Sequence, residues 1–304
     1  MDILELLIAF CGGAFGAAIG ALASFILVGL TGIFGIVFVA AGGTFDWLGA
    51  ISFGPFLGPH VAFTGGVAAY AYARKKGYMP SAKDITQGAL SLRKPDVLIV
   101  AGIFGVIGYA VNYAISLGLA GKIDTIALTV FVVALLGKVV FGDLGLKELF
   151  GVVPEDVKKL GGRFKFSAPT WVPYQVTIAE KVLVALFAGG VSAFVAARML
   201  EDPSTAGSAA LFGFCLSAFS LLFLQFGAAI PVTHHVTLCA ALGVVASGGN
   251  LIWGFVGALI ASFLGDFMAR LFHVYGDYHV DPPAMAIAIT SFLLLGILPL
   301  IGIY

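Results

Sequence analysis

The length and spacing of the apolar runs constrain this chain more than any other feature. They fall at about 5–28, 32–45, 61–74, 97–120, 123–142, 181–200, 206–228, 235–247, 251–273 and 281–303. A helix crosses a hydrocarbon core about 30 Å thick with roughly 20 residues, at 1.5 Å each. Most of the runs meet that length. Residues 3–43 form one stretch too long for a single crossing, and "VGLTG" (28–32) is where the sequence predicts its division. Composition agrees: the chain is 60% hydrophobic and 11% charged, against about 25% charged in a soluble domain. The expectation is an all-α polytopic membrane protein of about ten transmembrane or re-entrant segments. A β-barrel would show short alternating segments instead. The formal net charge is zero, so nothing favours nucleic acid as a partner. "MDILELL" is acidic and lacks a basic n-region, so a cleaved signal peptide is not expected.

Two runs, 61–74 and 235–247, are too short to span alone. Each follows an irregular stretch rich in Gly and Pro, "FGPFLGPH" (53–60) and "FGAAIPVTHH" (226–235). The likeness extends along the chain. "IAFCGGAFGAAIGALASF" (8–25) pairs with "VALFAGGVSAFVAARML" (184–200). "GIFGVIGYAVNYAI" (102–115) pairs with "GFVGALIASFLGDFMA" (254–269), setting Asn112 opposite Asp266. "KIDTIALTVFVVALLG" (122–137) pairs with "HVDPPAMAIAITSFLLLG" (279–296), setting Asp124 opposite Asp281. Four matches in one order predict two homologous membrane repeats, 1–145 and 181–304, joined by an amphipathic linker, 146–180. In the linker, "PEDVKKL" (154–160) has a short-helix pattern, and Trp171 and Tyr174 are expected among lipid headgroups.

Lys and Arg set the orientation. Arg74, Lys75, Lys76, Lys83, Arg93 and Lys94 occupy one loop, and Lys147, Lys158, Lys159, Arg163, Lys165 and Lys181 the central loop. Two crossings separate these loops, so both are placed in the cytoplasm, of a prokaryotic plasma membrane. Five crossings per half then make the halves inverted. If the Gly/Pro segments return to the same side, each half has four crossings and the inversion disappears. Inverted repeats with discontinuous helices are a recurrent transporter architecture.

Polar groups at membrane depth usually face a cavity or a bundle interior. His60, His234 and His235 precede the two short helices, and Pro55, Pro59 and Pro231 mark the breaks. Broken backbone is tolerated where it is buried in protein or lines a cavity, and imidazole can donate, accept or bind metal. The candidate substrate-binding set is His60, Thr64, Thr233, His234, His235 and Thr237, with Asn112 and Asp266 nearby. A structural reading competes: the histidines cap freed backbone, and Asp266 pairs with Arg270 at i+4. Asp281, before Pro282, and Asp124, before Thr125, read as helix N-caps. Gln225 and Asn250 are pore-lining or interhelical. Cys11, Cys215 and Cys239 read as packed thiols. The steps Gly12, Gly16, Gly20 and Gly102, Gly105, Gly108 permit close helix contact.

The architecture is similar to permease-like multi-pass proteins with two related halves. Locally, "NLIWGFVGALIASFLGD" (250–266) with "DPPAMAIAI" (281–289) resembles the HPP family of integral membrane proteins, over about 40 residues. That resemblance implies a small-anion permease, though Asp281 stands where the family has its signature histidine. The sequence holds no H-E-x-x-H, G-x-S-x-G or Walker A motif, and no enzymatic activity is expected. The function expected is a transporter or channel for a small polar solute or ion. Its partners are the bilayer, the solute and further copies in a homo-oligomer. No cofactor is expected. Coupling to Na⁺ or a proton would use Asp266. The alternative is a membrane anchor or scaffold subunit. A third idea is a metalloenzyme using His234, His235 and Asp266.

Overall fold

The computed structural model describes residues 1–143 and 145–304. Among the described residues it is all-helical. Helix α1 spans Ile3–Ile19, α2 Ala21–Ala40, α3 Thr64–Lys75, α4 Pro95–Leu119, α5 Thr125–Phe141 and α6 Glu155–Lys159. Then follow α7 (Ile178–Leu200), α8 (Phe212–Gln225), α9 (His234–Ala246), α10 (Leu251–His273) and α11 (Pro282–Leu300). Five of these, α2, α4, α7, α10 and α11, are long and apolar enough to cross a membrane.

The first division differs from the expected one. The chain bends at Gly20, and α2 runs unbroken through 28–32. Gly20 has φ +111°, a backbone conformation that costs other residues strain. Gly29 does different work: a Cβ there would press on the backbone of Cys215 and Phe219 in α8.

Both expected breaks are present. Between α2 and α3 the chain makes a π-type turn at Leu48–Ser52, loses helical form over 53–58 and restarts in a second π-type turn at Pro59–Phe63 that leads into α3. Between α8 and α9, residues 228–233 are irregular. Polar caps fix where the other helices start. Asp2 with Glu5 and Thr177 with Glu180 form capping boxes at α1 and α7. Asp124, Asn250 and Asp281 cap α5, α10 and α11.

Packing follows a repeated scheme. Helix α1 lies against α3 and α4, and α7 lies against α9 and α10. Helix α3 packs on α4 and α5, and α9 on α10 and α11. Between these groups, α2 meets α8 and α5 meets α11. Small residues allow the close approaches: a Cβ at Gly16 would overlap the Ala62 carbonyl, one at Gly108 the His60 carbonyl, and one at Gly257 the Cys239 carbonyl. The G-x-x-x-G faces are thus filled from within the chain.

Side-chain bonds lace one set of loops together. Arg74 pairs with Asp143 and with Asp277 (3.0 Å). Lys75 pairs with Asp143 (2.6 Å). Lys83 Nζ donates to Val274 O (2.8 Å) and Lys138 Nζ to Phe272 O (2.6 Å). In the linker, Arg270 donates to the carbonyls of Arg163 and Lys165. Gln175 exchanges two hydrogen bonds with Val232, accepting from its N–H (2.7 Å) and donating to its carbonyl (3.1 Å). The linker is therefore fastened to α10 and to the second break.

Candidate functional site

A cavity of about 610 Å³ lies between the α2–α8 pair and the α5–α11 pair. Leu22 and Phe25 of α2, Phe214 and Leu221 of α8, Ala127 and Val130 of α5, and Ala284 and Ile287 of α11 wall it. Both breaks reach it, through Pro59 and through Val232 and His234. Its polar groups are few: Lys83, Thr86, Asp124, Trp171, Tyr174, His234, His273, His279 and Asp281. Apolar walls with a small number of placed polar groups are the usual make-up of a small-molecule site, and the volume is in the usual range.

His234 stands at the start of α9 with its ring 4.9 Å from Phe25 and 6.0 Å from Phe214. Its Nδ1 is buried without a hydrogen-bond partner. His279 is 3% exposed, and neither of its ring nitrogens has a hydrogen-bond partner. Its Nε2 lies 3.6 Å from Asp281 Oδ1, too far for a hydrogen bond. The ring packs edge-on against Phe63 (5.8 Å) and His273 (4.9 Å). His273 Nδ1 accepts from the Val280 N–H at 3.3 Å. Buried polar atoms without partners are uncommon, and two such imidazoles on one cavity mark it as the place where a ligand would gain hydrogen bonds.

The two N-cap aspartates also face this cavity. Asp281 Oδ2 accepts from the Ala284 N–H (2.9 Å) and Asp124 Oδ1 from the Ala127 N–H (2.8 Å). Each cap uses one carboxylate oxygen. The Asp124 N–H donates to Ser291 Oγ (2.9 Å), ten residues along α11 from Asp281. At 1.5 Å per residue the two caps stand about 15 Å apart along that helix. Trp171 and Tyr174, on the linker, line the cavity, with the Tyr174 hydroxyl donating to Ile230 O (2.9 Å). Burial pushes the Lys83 ammonium below its ordinary value, with Asp277 opposing.

The other expected site residues lie elsewhere. His60 is buried on the α4 side, stacked on Tyr109 at 6.0 Å, and both its nitrogens lack partners. Thr64 donates to the His60 carbonyl (2.7 Å). Thr233 and Thr237 donate to Ser217 of α8 (3.0 and 3.2 Å). Asn112 meets Thr129 at 3.5 Å. His235 turns away from His234 toward α10, onto a separate void of about 20 Å³ that it shares with Asp266, Thr170 and Gln175. Asp266 is enclosed by Lys181 (2.7 Å), Arg270 (3.0 Å) and the Thr170 hydroxyl (2.8 Å). Gln225 donates to Thr86 O (2.9 Å) and Asn250 caps α10. Cys215 and Cys239 are buried, whereas Cys11 is exposed on α1. Among the described residues, no group of three or more His, Cys, Asp or Glu is placed to hold a metal ion.

The architecture is that of an all-helical protein with several helices long enough to span a bilayer. The chain belongs to DUF7973, a family of unknown function, whose profile matches residues 1–157 and again residues 147–304. No curated protein and no solved structure matches it.

Proposed function

We propose that this chain is a membrane permease or channel for a small solute, built from two inverted halves around the central cavity. One observation carries the reading: a cavity lined by both helix breaks holds buried imidazole nitrogens without hydrogen-bond partners, His234 Nδ1 and both of His279. Support for the halves is independent. The family profile matches twice in succession. Equivalent helices make equivalent contacts, and α2 meets its counterpart α8 as α5 meets α11. Such self-pairing is what a two-fold relation between halves produces. The basic loops 74–94 and 145–177 are read as cytoplasmic by the positive-inside rule. The breaks then serve as unwound segments lining the route. An anchor or scaffold role would leave the cavity and its imidazoles without a use.

The test is flux of a panel of small solutes into liposomes containing the purified protein, with His234→Ala as the comparison. Loss of flux is expected, and unchanged flux in the variant counts against the reading. Orientation is checked with single cysteines in a background lacking the native ones. Thr44→Cys and Gly248→Cys should label from one face and Gly162→Cys from the other. Labelling of residues 44 and 248 from opposite faces would end the inverted arrangement.

A further inference from the structure

We infer that the central cavity takes an organic cation: an amine, ammonium or phosphonium centre balanced by Asp281, carried on an apolar body that fills the aromatic wall. The inference rests on the cavity being a ligand site and names what enters it.

Charge comes first. The ionisable groups on the cavity are Lys83, Asp124, Asp281 and the imidazoles of His234, His273 and His279. Lys83 is half-buried and its ammonium is already engaged by the Val274 carbonyl. The acidic groups are the two N-cap carboxylates, each at a helix N-terminus, where the dipole and the capping N–H offset part of the cost of burying a negative charge. An anion would face both of them. A cation gains most from Asp281, whose second carboxylate oxygen makes no cap bond and has the His279 Nε2 near it, at 3.6 Å.

The walls give the second argument. Phe25, Phe63, Phe214 and Trp171 all line the space. Aromatic faces attract cations through the ring quadrupole. They also offer the apolar surface that a bare Na⁺ or ammonium ion cannot use. A volume of about 610 Å³ exceeds what an inorganic ion requires and suits a drug-sized molecule. The unpartnered His234 and His279 nitrogens supply the remaining hydrogen bonds to a head group or its water.

Tetraphenylphosphonium and tetraphenylborate test this directly, since they share a shape and differ in the sign of charge. Purified full-length protein in detergent is dialysed against tritiated tetraphenylphosphonium, with protein-free micelles subtracted and unlabelled compound as competitor. Tetraphenylborate is measured in the same way. The expected result is saturable binding of the cation, weakened about tenfold or more in Asp281→Asn and less in Asp124→Asn. Asn caps helices as well as Asp does, so both variants should keep the melting temperature. The borate should bind more weakly, and its binding should improve when Asp281 is neutralised. Equal binding of both ions, or cation binding that Asp281→Asn leaves unchanged, overturns the cation assignment. If flux in liposomes still depends on His234, the permease reading stands without it. Saturable cation binding with no flux would instead keep the assignment and remove the permease reading. Absence of saturable binding by either ion refutes the assignment and counts against the cavity as a ligand site.

Discussion

Asp266→Asn separates two roles for the one carboxylate deep in α10. The Asp266, Lys181 and Arg270 side chains are 13%, 10% and 4% exposed, so the cluster is out of water. Removing one partner of a buried ion pair typically costs about 3–5 kcal/mol, because the remaining charge is stranded. The two cations are not stranded equally. Arg270 keeps the carbonyls of Arg163 and Lys165 at 3.2 and 2.9 Å. Among the described residues, the Lys181 ammonium keeps no hydrogen bond, only the face of Phe263, 5.5 Å away, and the longer-range charge of neighbouring Glu180. Most of the loss is therefore assigned to Lys181, and Lys181→Met in the Asp266→Asn background should recover half or more of it. For a chain of this size the single variant should lower the melting midpoint by roughly 6–15 °C. The protein supplies its own probe: Cys215 and Cys239 are buried, so a thiol-reactive dye reports unfolding once exposed Cys11 is changed to Ser. A midpoint close to wild type, with flux abolished in liposomes, would refute this reasoning and return Asp266 to the role of coupling residue.

Three further predictions follow from the packing and the loops. Gly108→Ala should destabilise by about 1–3 kcal/mol, because its Cβ would overlap the His60 carbonyl, whereas Gly118→Ala on the same helix meets open space and should be neutral or stabilising by up to about 1 kcal/mol. Thermal melting of the pair checks both signs. Gln175→Leu removes the two bonds to Val232 and should speed hydrogen exchange over 226–233, while exchange in α4 stays as in wild type. Asp143 is pulled to about 2 by Lys75 and then Arg74. With the folded value below the unfolded one, its contribution is complete above about pH 4 and is lost as pH falls toward 2. The melting difference between wild type and Asp143→Asn should be flat above pH 5, shrink as pH falls through about 2 and vanish below it.

The sequence made the helical class, the two breaks and the short helices legible because each is a local matter of run length, Gly and Pro. The short helix in "PEDVKKL" was legible for the same reason, and α6 is there. The bend at Gly20 was not, since a positive φ leaves no mark among so many glycines. Asp124 and Asp281 show a deeper limit. Their N-cap pattern explained them fully along the chain, and a cap occupies only one carboxylate oxygen. That the other end of each group faces a cavity depends on α5 and α11 meeting side by side, which no window of sequence contains. His273 and His279 passed unnoticed for the same reason, although "HVDPPA" sets an imidazole two residues before the cap. Asp266 was legible with Arg270, four residues on, but not with Lys181, which lies 85 residues away.

The fastening of the linker has a mechanical consequence. Residues 163–175 are gripped by Arg270 at one end and by the second break at the other, and the neighbouring loops are cross-tied through Arg74, Lys83 and Lys138. A segment that reads in the sequence as a loose linker is thus a stiff seam. Of the two unwound stretches that reach the cavity, 228–233 is therefore held to the linker through Ile230 and Val232.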